Sequence, residues 1–396
     1  MKTDKLPLSL YIHIPFCKKK CLYCDFLSAP ACWREREDYV KALLREISAM
    51  AAFCKDYRVI SVFFGGGTPS LLSSLQMERI MAAIRKGYCL NDDAEITVEC
   101  NPATADLQKL SAYRKCGINR LSIGLQSVND NELKELGRIH TYDQFLGTFA
   151  DAREAGFANV NVDIMSALPG QTFESYIHTL TSVTDLQPEH ISAYSLIIEE
   201  GTPFYERYGK ESSYEVAQSM ECAPMYPLLP DEDTERRMYH DTARVLQKAG
   251  YLRYEISNYA KKGYECRHNL TYWTGIEYLG FGLGASSYFK DTRYKNTSDI
   301  LDYLNNPIQN IEDDAYVLSL NDRMEEYMFL GLRLKKGVSV KNFFEQFHIT
   351  MQEVYGMEIE QLKKAGLLLH SGDRLRLSKK GTDVANYVMS HFIMDK

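Results

Sequence analysis

Apolar and polar positions along the first 200 residues alternate between two periods. Short runs rich in β-branched and aromatic residues recur at Leu8–Ile14, Val59–Phe64, Ala94–Glu99, Arg120–Leu125, Asn159–Ile164 and His190–Leu196. Each is short enough to be a strand. Helical spacing separates them. In Glu37–Phe53 the apolar residues Tyr39, Val40, Leu43, Leu44, Ile47 and Met50 fall on one face, and Ser74–Ile84, Ala105–Lys115, Tyr142–Ala155 and Phe173–Leu186 read likewise. Gly117 and Gly156 follow two of these helices, where a left-handed C-terminal residue belongs. Six β–α units in succession predict an α/β fold with a parallel sheet and helical crossovers. Periodicity leaves open whether the sheet curls into a partial (β/α)6 TIM-like barrel or stays open and doubly wound.

The rhythm breaks after Gly201. Residues 201–230 read as irregular, with Pro203, Pro224, Pro227 and Pro230. A helix over Asp233–Ala249, a strand over Leu252–Ser257 and a dense segment at Cys266–Phe289 follow. From Asp322 the pattern is three helices and a hairpin around Gly372-Asp373, which predicts a small helical, winged-helix-like domain. The expected division is 1–200 for the barrel core, 201–321 for an extension completing the barrel side, and 322–396 for the C-terminal domain.

Composition adds limits. The chain has 396 residues, more than one ordinary core accommodates, with 45% hydrophobic and 25% charged residues. No apolar run reaches bilayer length, and Met1 to Pro7 has no apolar signal core, so a cytoplasmic protein is expected. A net charge of −7 argues against a large nucleic-acid footprint. Seven of the ten cysteines, Cys32, Cys54, Cys89, Cys100, Cys116, Cys222 and Cys266, are scattered, and most are expected to be small buried hydrophobes.

The other three cluster directly after the first strand, as Cys17-Lys-Lys-Lys-Cys21-Leu-Tyr-Cys24. C-x3-C-x2-C lets one loop turn three thiolates onto one iron–sulfur cube and leaves the fourth iron open for chemistry. Zinc also accepts thiolates, but would want a fourth ligand such as His13.

The other strands also end in polar or glycine motifs, where barrels of this type gather ligand groups. Strand two ends in Gly65-Gly66-Gly67-Thr68-Pro69, strand three at Glu99, strand four at Gln126, strand five near Asp163 and strand six at Tyr194-Ser195-Leu196-Ile197. Each feature alone has an ordinary reading as a turn or a solvated end. Their coincidence with the cysteine loop points to one site.

C-x3-C-x2-C after a first strand resembles the signature of radical S-adenosylmethionine (SAM) proteins. In that superfamily SAM binds the open iron, and one electron from the cluster cleaves it to methionine and a 5′-deoxyadenosyl radical. Tyr-Ile-His-Ile-Pro-Phe-Cys17, Phe-Gly-Gly-Gly-Thr68-Pro, Ile-Gly-Leu-Gln126-Ser, Leu-Gly-Arg138-Ile-His and Asp163-Ile…Leu-Pro-Gly-Gln-Thr are similar to the oxygen-independent coproporphyrinogen III oxidase family over essentially the whole chain. The resemblance implies a 4Fe–4S cluster on Cys17, Cys21 and Cys24, with Tyr11 and Tyr23 flanking it. It implies Gly66, Gly67 and Thr68 along the methionine moiety of SAM, and Glu99, Gln126, Arg138 and Asp163 on its polar parts. Ile197 would pack near the adenine. For Arg138 a helix-surface position is the competing reading.

Two departures separate this chain from the oxidases of that family. They carry a further cysteine where Phe26 stands, and a longer N-terminal arm than the sixteen residues before Cys17. Both features, and His268-Asn-Leu-Thr-Tyr-Trp273, resemble the family's heme-chaperone subgroup, which binds heme and is thought to deliver it to membrane respiratory enzymes. His268 is then the candidate heme ligand, against a second reading as a core or capping histidine. Ser286 stands where many relatives have histidine. The implied partners are heme or porphyrin, an electron donor protein and heme-accepting proteins, with no nucleic acid. A porphyrinogen oxidase and a radical SAM enzyme acting on RNA remain as alternatives.

Overall fold

The computed structural model describes residues 5–209, 226–306 and 315–394. Pro224 and Cys222 lie outside them. The first 200 residues form β1 (Leu6–Ile14), α1 (Trp33–Met50), β2 (Tyr57–Gly66), α2 (Ser74–Gly87), β3 (Leu90–Cys100), α3 (Leu107–Lys115), β4 (Arg120–Gln126), α4 (Asp130–Glu135), α5 (Tyr142–Glu154), β5 (Val160–Ser166), α6 (Phe173–Asp185) and β6 (His190–Ser195). Strands β1 to β6 pair in chain order and all in parallel. Their helix-facing residues, such as Leu10, Ile12, Val62, Val98, Ile123 and Val162, are sealed against the apolar faces of the helices, for example Tyr39, Leu43 and Ile47 of α1. Gly117 and Gly156 end α3 and α5 at φ of 91° and 85°. This is the parallel α/β sheet expected from the alternation.

The chain continues through α7 (Pro203–Tyr208), α8 (Glu232–Lys248), β7 (Leu252–Arg253), β8 (Asn258–Ala260), α9 (Arg267–Trp273), β9 (Tyr278–Phe281), β10 (Ser286–Phe289), β11 (Thr292–Lys295), α10 (Ile300–Asn305) and β12 (Tyr316–Val317). β8 and β7 extend the sheet antiparallel beyond β6. β9 joins the opposite edge, parallel to β1, and carries β10 to β12. The strand expected over Leu252–Ser257 is only two residues long. There the Arg253 guanidinium donates to the carbonyls of Glu255 and Ile256 and folds the chain into a turn. α4 was not foreseen, because six residues give no periodicity.

The C-terminal segment holds α11 (Leu320–Gly331), β13 (Val338–Ser339), α12 (Val340–Phe347), α13 (Met351–Lys364), the hairpin β14 (Leu368–Ser371) and β15 (Arg374–Leu377), and the short α14 (Lys379–Asp383) and α15 (Ala385–Ser390). It encloses a separate cluster that includes Met328, Phe343, Met351, Leu375 and Phe392. Among the described scattered cysteines, Cys54, Cys100 and Cys266 are buried, Cys116 is half-buried, and Cys32 and Cys89 are exposed. Cys32 stands at the N-cap of α1, outside the core. Among the described residues no helix is long and apolar enough to cross a membrane.

Candidate functional site

The second face of the strands is polar. Glu95, Thr97 and Glu99 on β3, Arg120 and Ser122 on β4, Asn161 and Asp163 on β5, and His190, Ser192 and Tyr194 on β6 occupy alternate positions, and the ladder sets Glu99 beside Ser122, Ser122 beside Asn161, and Asp163 beside Ser192. Parallel strands covered on both faces are ordinarily apolar throughout, so this period of two marks an interior built for a ligand. At the C-terminal end it opens into a cavity of about 370 Å³.

Cys17, Cys21, Cys24, Tyr23, Gly66, Gly67, Thr68, Glu99, Gln126, Arg138, Asp163 and Ile197 all border that one cavity. Tyr11 does not. Its ring stacks on Phe63, its hydroxyl meets His13 Nδ1 at 3.1 Å, and it lies behind Gly65. His268 does not border it either. It is 1% exposed on α9, inside the sheet, with Nδ1 2.9 Å from Ser61 Oγ, Nε2 3.0 Å from the Tyr272 hydroxyl, and its ring stacked on Phe63. Both nitrogens are engaged, and burial holds its pKa down at about 3, so the ring is a neutral imidazole.

The cysteine loop is tied down at several points. Phe16 bridges to Ala29, Cys17 N–H donates to Ala29 O at 3.1 Å, and Leu22 N–H donates to Leu136 O at 3.0 Å. Phe204 N–H of α7 donates to Leu22 O at 3.0 Å. The Gly66–Gly67 turn packs directly under the loop. Gly66 has φ of 108°, and a Cβ on Gly67 would lie 2.7 Å from Phe16 O. Cys17 Sγ lies 3.4 Å from Thr68 Oγ1, which accepts from Asn101 Nδ2 at 2.9 Å. Asn101 Oδ1 in turn accepts from Arg138 Nη2 at 3.0 Å, and Arg138 Nη1 faces Cys21 Sγ at 3.7 Å. Arg138 also donates to Gly124 O. Arg138 is thus half-buried against the loop, beyond the end of α4, which answers the helix-surface alternative.

Burial, helped by the neighbouring thiols Cys21 and Cys17, pushes the Cys24 thiol up to about 11. Three soft donors on one loop, all bordering one cavity, suit an iron–sulfur cluster with an open iron. His13 offers no ligand for a lone zinc ion, because its Nε2 is bound to Leu27 O at 2.9 Å and its Nδ1 to Tyr11. Opposite the thiols, burial and the Asp163 charge push Glu99 up to about 8, although Gly66 N–H donates to it at 3.2 Å. Burial also raises Asp163, whose Oδ1 accepts from Asn161 Nδ2 at 2.7 Å. Two half-buried carboxylates that face the cavity and are met by the neutral donors Gly66, Asn161 and Ser122 suit a ligand with a cationic group and hydroxyls, such as SAM. Gln126 sits at φ of 72° where the β4–β5 register slips, and this turns its amide to accept from the Tyr194 hydroxyl at 3.2 Å. Arg120, Asn161 and His190 carry no role in the sequence reading. The alternation of polar residues along parallel strands was the signal that could have found them.

Fold and site together define a radical SAM protein with a cluster loop at the mouth of its barrel. Residues 11–183 match the model of the Radical SAM superfamily, and residues 318–384 match that of the HemN C-terminal domain. The chain belongs to the heme chaperone HemW family. It is 35% identical to heme chaperone HemW of Lactococcus lactis, over 98% of both chains, and 34% identical to that of Bacillus subtilis, over 97% of this chain and 99% of that one. The mitochondrial radical S-adenosyl methionine domain-containing protein 1 of mouse is 34% identical over 96% of this chain and 86% of its own. Among solved structures, coproporphyrinogen III oxidase (HemN) of Escherichia coli superposes with a TM-score of 0.82, covering 98% of this chain and 91% of that one at 24% identity, which is a likeness of fold.

Proposed function

We propose that this chain is a heme carrier built on a radical SAM frame. Cys17, Cys21 and Cys24 hold a 4Fe–4S cluster, Glu99, Gln126, Arg138 and Asp163 receive the polar groups of SAM, and heme is bound for transfer to acceptor proteins. The cluster, when present, supplies one-electron chemistry to SAM. The residues orient SAM and keep its charged groups dry.

The observation that carries the carrier reading is Phe26. It stands two positions after the third cysteine, 60% exposed, on the rim of the cavity, with Ile197 at 65% exposure on the same rim. An oxidising radical needs a closed site, because water quenches it. An apolar rim open to solvent suits the loading and release of a large flat molecule. Heme titration of the reconstituted protein, beside an anaerobic assay for protoporphyrinogen IX with SAM and a reductant, tests this. Heme binding without decarboxylation is expected. Sustained product formation would replace the carrier with the oxidase.

A further inference from the structure

The thiol of Cys21 is approached from two sides. On one side it borders the inner cavity. On the other, together with Thr68, Asn101 and Arg138, Cys21 lines a small crevice of about 20 Å³, room for a water and no small ligand. The walls of that crevice include Lys18, Lys19 and the exposed Ile139, and no carboxylate lines it. Lys18, Lys19 and Lys20 are consecutive and exposed, and Lys109 lies within electrostatic reach of Lys18 and Arg36. Of the acids near the loop, Asp25 and Glu199 stand on the cavity side, and Asp106 lies within reach of Lys109. A concentrated cationic patch on a chain of net charge −7 is local by construction.

We infer that this lysine-rimmed crevice is the docking surface for an acidic one-electron carrier protein, which delivers its electron to the cluster through the Cys21 side of the loop. The inner cavity belongs to SAM, so a protein donor must come from outside. Electron transfer falls steeply with distance, and Cys21 borders this crevice beside the exposed Lys18 and Lys19. Opposite charge steers the encounter and fixes the orientation. Ile139 gives the interface an apolar centre. In the step itself the donor's anionic reduced flavin gives up one electron and becomes the neutral semiquinone. A cluster held by Cys17, Cys21 and Cys24 would take up that electron, passing from the 2+ to the 1+ state, with no proton moved.

The inference rests on the cluster being held by Cys17, Cys21 and Cys24, which iron content and reduction by dithionite read independently. The experiment is anaerobic titration of the reconstituted protein with an acidic flavodoxin, at about 50 mM and about 300 mM salt, with stopped-flow reduction of the cluster by the reduced flavodoxin. Wild type is expected to bind more weakly at high salt. Lys18→Glu/Lys19→Glu is expected to lose about tenfold or more in affinity and in reduction rate, with unchanged iron content and full reduction by dithionite. The milder Lys18→Gln/Lys19→Gln should lie between. Lys341→Glu, on the C-terminal domain, should behave as wild type. Equal affinities in wild type and the double charge reversal, an equal loss in Lys341→Glu, or tighter salt-dependent binding to transfer RNA than to flavodoxin would each overturn it.

Discussion

Arg138 Nη1 points at Cys21 Sγ from 3.7 Å, across a sequence separation of 117 residues. The same guanidinium holds Asn101 and the Gly124 carbonyl, so its position is fixed from three sides. A fixed cation donating to a cluster sulfur stabilises the more negative, reduced state. Arg138→Met is therefore expected to shift the cluster potential negative while keeping iron bound. Arg138→Lys, which retains the charge but loses the fork, should recover only part of the shift. A redox titration followed by electron paramagnetic resonance checks this, and a positive shift in Arg138→Met would refute it.

Asn161 sets the orientation of Asp163. Its Nδ2 donates to Asp163 Oδ1 and to Ser122 Oγ, both at 2.7 Å, while its Oδ1 accepts from His190 Nδ1 at 2.6 Å. His190 is held by the Tyr254 hydroxyl at 2.9 Å. Asn161→Ala should weaken SAM binding by about tenfold, the value of one well-placed hydrogen bond to a charged group, without loss of iron. Asp163→Ala should weaken it further. Calorimetric titration with SAM measures both, and an unchanged affinity in either variant would remove these residues from the SAM site.

Gly67 has no room for a side chain. An added Cβ would meet Phe16 O at 2.7 Å, Phe16 N at 2.9 Å and Ile14 O at 3.0 Å, all backbone atoms that cannot swing aside. Gly67→Ala should cost about 1–3 kcal/mol of stability and lower cluster incorporation, because the strain falls on the residue beside Cys17. Thermal unfolding and iron per chain are the readouts. A variant with wild-type values for both would mean that the loop is looser than its contacts indicate.

Glu46 of α1 is 1% exposed and accepts from Tyr303 at 2.6 Å, Asn296 Nδ2 at 2.6 Å and Gly282 N–H at 2.9 Å. Burial outweighs these donors and pushes its carboxyl up to about 7. The folded state therefore keeps the proton through a range where the unfolded chain has lost it. Stability from this group is greatest below the ordinary carboxylate range and falls as pH rises toward 7. Relative to Glu46→Gln, wild type should lose on the order of 3 kcal/mol between about pH 4.5 and about pH 7. Denaturant unfolding at a series of pH values tests this, and parallel curves would contradict it.

If His268 is the heme ligand, its Nε2 must exchange the Tyr272 hydroxyl for iron. Tyr272→Phe removes that competitor and should tighten heme binding severalfold, while His268→Ala should weaken it and abolish a histidine-ligated spectrum. Equal heme affinity in all three proteins would assign the axial ligand elsewhere.

Much of this molecule is local and was legible in the sequence. The strands and, α4 apart, the helices of the first 200 residues follow from periods of two and 3.6, since a buried face must be continuous. The cysteine spacing fixes three thiols on one loop, and the strand-end motifs supply Gly66, Gly67, Thr68, Glu99, Gln126, Asp163 and Ile197, which border one cavity with it. What the tertiary structure alone decided depends on partners far apart in the chain. A four-residue strand, β9, is too short to declare an edge, and its parallel place beside β1 comes from pairing across about 270 residues. His268 sits in a motif that suggests a ligand. Only folding shows its ring engaged by Ser61, 207 residues away, because a side chain's hydrogen bonds depend on which groups packing brings within 3 Å. Arg138 shows the reverse. A helix-surface arginine and a cluster neighbour look alike in one dimension, and the distinction was made by the loop that closes over it.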